Sequence, residues 1–235
     1  MPRSITPLLL GLPVFALLLW LGFWQLDRAD QKRTLADQYE AAANVAPVRI
    51  DTAAALAAMP RHARVAASGR FVGDRQVLLD AQTHDGVVGY RVWTPLALDH
   101  GDWVLIDRGW VAAGATRADL PDVAVGASRR TVTGRKAPLP VPGLRLGEPE
   151  PAGGPWPRRL VWPDADALAR AFGRAVPPAL ILLDADEPDG FVREWAPADT
   201  MTAQRHVGYA VQWFALAAAL VVIALVLMLR KRRHD

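Results

Sequence analysis

Two stretches of the chain are apolar at every position instead of recurring every second or every third to fourth residue. From Ile5 to Leu26 no charged residue occurs, and the core reads LLLGLPVFALLLWLGFWQL. From Val207 to Leu229 there is again none, and the core reads YAVQWFALAAALVVIALVLML. Each is about 22 residues long, enough at about 1.5 Å per residue to cross a hydrocarbon layer about 30 Å thick. A helix that covers a soluble core keeps a polar opposite face, and neither stretch has one. Pro13 would break a soluble helix but is tolerated in a membrane helix with neighbouring partners. Both are therefore expected to be transmembrane helices, at 7–27 and 207–229. A cleaved signal peptide competes for the first, but its apolar run exceeds a usual h-region of about 7–15 residues. Gln25-Leu26-Asp27-Arg28 also follows where a small-x-small cleavage site belongs.

Between these stretches the periodicity changes. Asp27 to Ala43 is charged and Ala-rich with Leu35 and Tyr39 four apart, so the first helix is expected to continue beyond the apolar run. Asp51-Thr52 can cap a short helix ending near Met59-Pro60. Strand patterns then follow at Arg64–Val72 and Gln76–Asp80, with a turn at His84-Asp85-Gly86. Tyr90–Thr94 and Trp103–Ile106 are joined through Asp99-His100-Gly101-Asp102, a hairpin signal. Further strands are expected at Arg130–Arg135, Leu180–Leu183 and Phe191–Trp195, and an extended Pro/Gly-rich loop over 141–157. Asp164 to Phe172 reads as a short amphipathic helix with Leu168 and Phe172 on one face. The expected fold is a membrane protein in which two transmembrane helices flank a β-rich (α+β, antiparallel) extramembrane domain over 28–206, a partly closed barrel.

Charge sets the orientation. The basic run Arg230, Lys231, Arg232, Arg233 stands directly after the second apolar stretch and is expected to stay cytoplasmic by the positive-inside rule. Two spans bring the N-terminus to the same side. The termini at 1–6 and 230–235 are then cytoplasmic, and the central domain is periplasmic in a bacterial inner membrane, or faces the intermembrane space in a mitochondrion. The formal net charge of +3 sits at these ends, with Arg3 at the other, so the basic balance points to membrane lipid and away from nucleic acid.

Composition narrows the chemistry. With no cysteine, the chain carries no disulfide framework, thiolate zinc or iron–sulfur site, covalent c-type haem attachment or cysteine-based copper chaperone. Nucleotide, hydrolase and zincin motifs are missing, and the five histidines lack metal-ligand spacing, so the reading is not an enzyme and not a metal cage. Asp184, Asp186 and Asp189 read as a solvated turn, since the glutamate of a calcium loop is missing and Pro188 interrupts. Arg108-Gly109-Trp110 reads as a turn closing a strand with a stacked Arg–Trp pair, or as a partner-binding surface.

The informative group sits at the outer membrane boundary. His206, Tyr209 and Trp213 fall on one face of the second helix with Gln212 beside them, while Trp20, Trp24 and Gln25 occupy the same depth on the first. An aromatic belt accounts for the Trp and Tyr residues but not for a glutamine in each helix plus an imidazole. For His206 two readings stand level: a helix-end hydrogen bond, or a ligand or partner role, imidazole being a usual axial ligand of haem iron.

Four segments in order carry a resemblance. The helix exit Leu21-Gly22-Phe23-Trp24-Gln25-Leu26-Asp27-Arg28 with Lys32 is similar to the opening motif of the Surf/Shy (surfeit-locus) family of cytochrome c oxidase assembly proteins. Gly89-Tyr90 through Thr94-Pro95-Leu96 and Val104 to Val111 resemble its central block, and Thr131-Val132-Thr133-Gly134 the strand beyond. His206-Val207-Gly208-Tyr209-Ala210-Val211-Gln212-Trp213-Phe214 resembles the start of its second helix. Two segments depart: Arg205 replaces an Asn common before the histidine, and Pro155 to Arg159 follows its Asn/Pro/Trp segment only loosely.

The resemblance implies a non-enzymatic assembly factor for a haem–copper oxidase that assists haem a delivery to, or insertion into, the catalytic subunit. That subunit, haem a synthase and membrane lipid are the implied partners, and haem a is held transiently. His206 matches the family's proposed haem-ligand histidine, Trp24 and Gln25 its first-helix motif, and Arg108-Gly109-Trp110 its soluble-domain motif. Arg28 or Arg205 could serve the propionates, and Tyr209, Gln212 and Trp213 complete the candidate cleft. The alternative is a haem-free membrane scaffold that stabilises oxidase subunit assembly. A two-span sensor ranks behind both, because the ends leave no output domain.

Overall fold

The structure, a computed structural model, describes residues 6–43, 45–140, 154–195 and 201–232. The chain divides into two compact units, Met1–Ala41 with Pro197–Asp235, and Ala42–Ala196.

The first unit is a pair of long helices. α1 (Thr6–Ala43) is continuous through Pro13 and past the apolar run, as the sequence leads one to expect. α4 (Ala203–Arg232) opens at Thr202, whose hydroxyl accepts the backbone N–H of Arg205 at 3.4 Å, a local N-cap contact. Among the described residues, one segment has the length and composition of a membrane span, Ala203–Arg230 in α4.

The less exposed positions explain how the helices pair. On α1 they include Gly11, Phe15, Leu18, Gly22, Gln25, Ala29 and Lys32. On α4 they include Ala203, His206, Ala210, Trp213, Ala217, Leu220 and Ala224. Both sets step alternately by three and four, the spacing of a coiled-coil seam. Ala203, Ala210, Ala217 and Ala224 recur through the α4 seam, and Gly11, Gly22 and Ala29 stand in that of α1; such small residues let backbones approach and gain dispersion contacts. At Gly22 the approach is close: a Cβ there would overlap the Phe214 ring, which also meets Phe23 edge-on with centroids 5.3 Å apart.

The second unit is built on a closed ring of five strands: β2 (Arg64–Phe71), β4 (Val87–Leu98), β5 (Trp103–Ala112), β6 (Arg130–Pro138) and β8 (Ala179–Leu183). β2 pairs with β6, β6 with β8, β8 with β5 and β5 with β4, and β4 returns to β2 through Gly69↔Leu98 to Phe71↔Leu96. This is a Greek-key barrel of the class that includes OB-folds. β1 (Val48–Ile50) adds to β2, while β3 (Val77–His84) extends β4 and carries β7 (Arg158–Leu160).

Alternation along each strand fills both faces. Val65, Ala67 and Phe71 of β2, Val104 and Ile106 of β5 and Ile181 and Leu183 of β8 form the inner core with Leu56 of α2 (Ala53–Ala58). The opposite face of β4, β5 and β8 presents Trp93, Leu105 and Leu180 to Leu168 and Phe172 of α3 (Ala165–Phe172). Asp164 caps α3 by accepting the Ala167 N–H at 2.6 Å, and Gly173 ends it in the left-handed region.

Three expectations are corrected. The sheet is mixed instead of antiparallel, since β1–β2, β3–β7 and β5–β8 are parallel pairs. Phe191–Trp195 is no strand: its contact with the sheet is a single bridge, Trp110↔Val192, after Asp189 turns the chain at φ 61°. Gln76–Asp80 understates β3, which runs to His84 across an irregularity between Leu79 and Gln82 where Ala81 adopts φ 57°. Most of the expected 141–157 loop lies outside the described residues, as do the chain ends at 1–5 and 233–235.

Candidate functional site

Gln25 and His206 occupy facing seam positions, and Nδ1 of the imidazole lies 2.7 Å from Oε1 of the amide. An amide oxygen only accepts, so Nδ1 donates and the ring lone pair belongs to Nε2. His206 is 9% exposed, and its ring makes no other hydrogen bond among the described residues. Apolar seam neighbours Gly22, Ala29 and Ala210 surround this polar pair. A polar pair in such a seam also fixes register.

The remaining helix candidates spread around the pair. Trp213 lies in the seam, with its indole N–H buried and without a partner among the described residues. Trp24 and Tyr209 are 40% and 43% exposed, off the seam, and Gln212 also faces outward. Arg28 is exposed and held locally: it donates to Gln31 Oε1 at 2.9 Å, and its guanidinium lies 5.6 Å from the Trp24 ring centroid. The helix pair thus joins a nitrogen base, exposed aromatic rings and a cation.

The tripeptide Arg108-Gly109-Trp110 lies within β5 and does not form the stacked Arg–Trp pair. Arg108 alternates inward after Val104 and Ile106 and is 2% exposed at the end of the barrel interior. Its guanidinium donates to Val123 O at 2.7 Å, Gln76 Oε1 at 2.9 Å and Asp189 O at 2.7 Å. It packs over Phe191 and Phe71 at 4.9 and 6.0 Å. Burial lowers its pKa to about 10, which leaves it charged at neutral pH, bound to neutral oxygens. Arg108 therefore braces the barrel from within and offers no charge to the surface. Gly109 sits at φ 112°, where a Cβ would lie 2.5 Å from Val192 O. Trp110 points the other way, donating to Gln82 O at 2.9 Å, with the His84 ring 5.1 Å away and exposed Val87 and Val88 on the adjoining hairpin.

One buried group escaped the sequence reading. Asp107, 1% exposed, accepts from Arg91 at 2.7, 3.0 and 3.2 Å, from Trp93 Nε1 at 2.8 Å and from Gly109 N at 3.0 Å. Burial pushes its carboxyl above the ordinary value, and the Arg91 guanidinium with the two N–H donors opposes that shift. The available signal was a lone carboxylate directly after the apolar run Val104-Leu105-Ile106.

Elsewhere in the second unit, a recess of about 220 Å³ is lined by Ala57, Arg61, Lys136, Pro138, Pro178 and Ala179, and none of the expected site residues borders it. Among the described residues no group of three or more His, Asp or Glu side chains is placed to hold a metal ion.

Comparison with known proteins bears on the whole chain. The model of the SURF1 family matches residues 12–218. A SURF1-like protein of Monosiga brevicollis is 27% identical over 95% of this chain and 87% of its own length. A SURF1-like protein of Drosophila melanogaster is 28% identical over 85% and 70%, respectively. A shorter match, 33% identical over 41% of this chain and 39% of the relative, is to a SURF1-like protein of Rickettsia bellii.

Proposed function

Because the chain belongs to the SURF1 family, we propose that it is a non-enzymatic membrane assembly factor for a haem–copper cytochrome c oxidase, assisting haem a delivery to the catalytic subunit. The observation that carries the haem part of this reading is the Gln25–His206 hydrogen bond, which commits Nδ1 and leaves the Nε2 lone pair uncommitted. That donor chemistry fits a haem, whose iron accepts one imidazole nitrogen. In this reading His206 supplies the axial nitrogen, Trp24 and Tyr209 the apolar walls, and Arg28 the cation for a propionate. Arg108, Gly109 and Trp110 shape the barrel, with Trp110 beside exposed Val87 and Val88 as a contact for the oxidase catalytic subunit or haem a synthase.

The proposed topology has spans at 7–27 and 207–229, both termini cytoplasmic and residues 28–206 on the periplasmic side of a bacterial inner membrane. The apolar length of α4 and the basic residues following it support this arrangement.

The test is a visible spectrum of the detergent-purified protein from cells that synthesise haem a. A Soret band that His206→Ala shifts or abolishes is expected, together with reduced haem a absorbance and oxidase activity in membranes lacking the protein. Normal oxidase in those membranes rejects the assembly role. A purified protein without haem, still co-purifying with the oxidase, favours the scaffold reading instead, for which the register-fixing side of the same hydrogen bond speaks.

A further inference from the structure

His206 has two ring nitrogens, and which of them carries the hydrogen decides which can bind anything. In the neutral ring one nitrogen donates and the other accepts, and the partner of one fixes the role of the other. Here the partner is an amide oxygen at 2.7 Å, and no further hydrogen bond to the ring occurs among the described residues. The neighbouring seam residues Gly22, Ala29 and Ala210 carry no side-chain acceptor that could compete with Gln25. Gln25 itself is confined by the heptad spacing of α1, with small residues three positions before it and four after. In such apolar surroundings an N–H left without an acceptor is costly, so the selection of one tautomer is strong.

From this geometry we infer that Gln25 is a positioning residue. It selects the Nδ1–H tautomer of His206 and thereby makes Nε2 the nitrogen available to an iron centre. The second half of this inference rests on the haem reading above; the first half does not. The arrangement is that of the outer hydrogen-bond partners that orient metal-bound histidines, whose loss typically weakens metal affinity about 10–100-fold.

The experiment separates the two halves. Full-length protein with 15N-labelled histidine is examined in detergent micelles without haem, His206 being assigned by the signal lost in His206→Ala. Long-range 1H–15N correlations distinguish the two neutral tautomers directly. The wild type is expected to show the Nδ1–H form. Gln25→Leu is expected to shift His206 toward the Nε2–H form, and Gln25→Glu, which retains an acceptor, to restore Nδ1–H. Far-UV circular dichroism checks that each variant keeps its helices. An Nε2–H wild type, or a His206 signal unmoved by Gln25→Leu, overturns the inference.

The same proteins are then titrated with ferric protoporphyrin IX. Gln25→Leu is expected to bind about 10–100-fold more weakly than wild type, with Gln25→Glu restoring affinity. Equal affinity in Gln25→Leu and wild type, alongside the expected tautomer change, overturns the positioning role. No binding by wild type, with the tautomer as expected, overturns the haem reading and leaves the tautomer assignment standing.

Discussion

Replacing Asp107 by Ala removes one acceptor from three donors at once. The Trp93 indole is fully buried, so its N–H loses a partner that water cannot replace; an unsatisfied group of this kind costs about 1–3 kcal/mol. The Arg91 guanidinium loses a three-contact pair with a buried carboxylate, and breaking such a pair costs about 3–5 kcal/mol. Arg91 keeps 25% of its side-chain surface exposed and can turn partly toward water, which places the sum near the lower end, about 4 kcal/mol. That corresponds to a factor of several hundred in the unfolding equilibrium, at about 1.4 kcal/mol per tenfold. Urea unfolding of the full chain in detergent, followed by tryptophan fluorescence, reads this as a midpoint shift of about 1–4 M for a slope near 1–3 kcal/mol/M. The double variant Arg91→Met/Asp107→Leu should recover much of the loss, because it removes both charges together. An Asp107→Ala midpoint that coincides with wild type would refute the reasoning, as would a double variant less stable than the single one.

Other perturbations test separate joints. Gly109→Ala forces a Cβ against Val192 O at a backbone angle suited to glycine and should destabilise the second unit by about 2 kcal/mol or more in the same urea assay; an unchanged midpoint argues against the strain. Gly22→Leu should disrupt the helix pair, measured as lost spin-label proximity between the helices, and Phe214→Ala in the same chain should partly restore it. The Arg129 guanidinium holds the Asp99 carboxyl below its ordinary value, so the folded pKa lies below the unfolded one. The pair's stabilisation is thus present above the ordinary Asp range and fades as pH falls through the lower folded value. The small gap between wild type and Arg129→Gln should accordingly be visible at neutral pH and vanish in acid, and a gap that widens in acid contradicts the assignment.

Period-two alternation and turn chemistry made the β3–β4–β5 meander legible, because Gly86 and Gly101 punctuate runs of β-branched and aromatic residues. β1 and β7 were not legible: three residues, Val48–Ile50 and Arg158–Leu160, are too few to display a period. Parallel pairing of β5 with β8 joins segments about 75 residues apart, and no local pattern encodes it. Phe191 and Val192 have strand-like side chains, but the packing of Phe191 against Arg108 and the one bridge at Val192 reflect tertiary packing. On the helices, the one-face reading of His206, Tyr209 and Trp213 was half right. Heptad stepping places His206 and Trp213 in the seam and leaves Tyr209 outside it, a distinction that requires knowing where α1 lies. Sequence reading placed Gln25 and His206 at one depth, whereas their hydrogen bond and its direction required the structure.

The order of synthesis meets the barrel at its last strand. β8 fits between β5 and β6, so a nascent chain emerging from the ribosome has already exposed both of those flanks before residues 179–183 exist. Until they arrive the ring has a gap with two naked ladders, each a template for wrong partners. A premature stop anywhere upstream of Ala179 therefore yields a sticky fragment instead of a smaller working protein, however much of the polypeptide has been made.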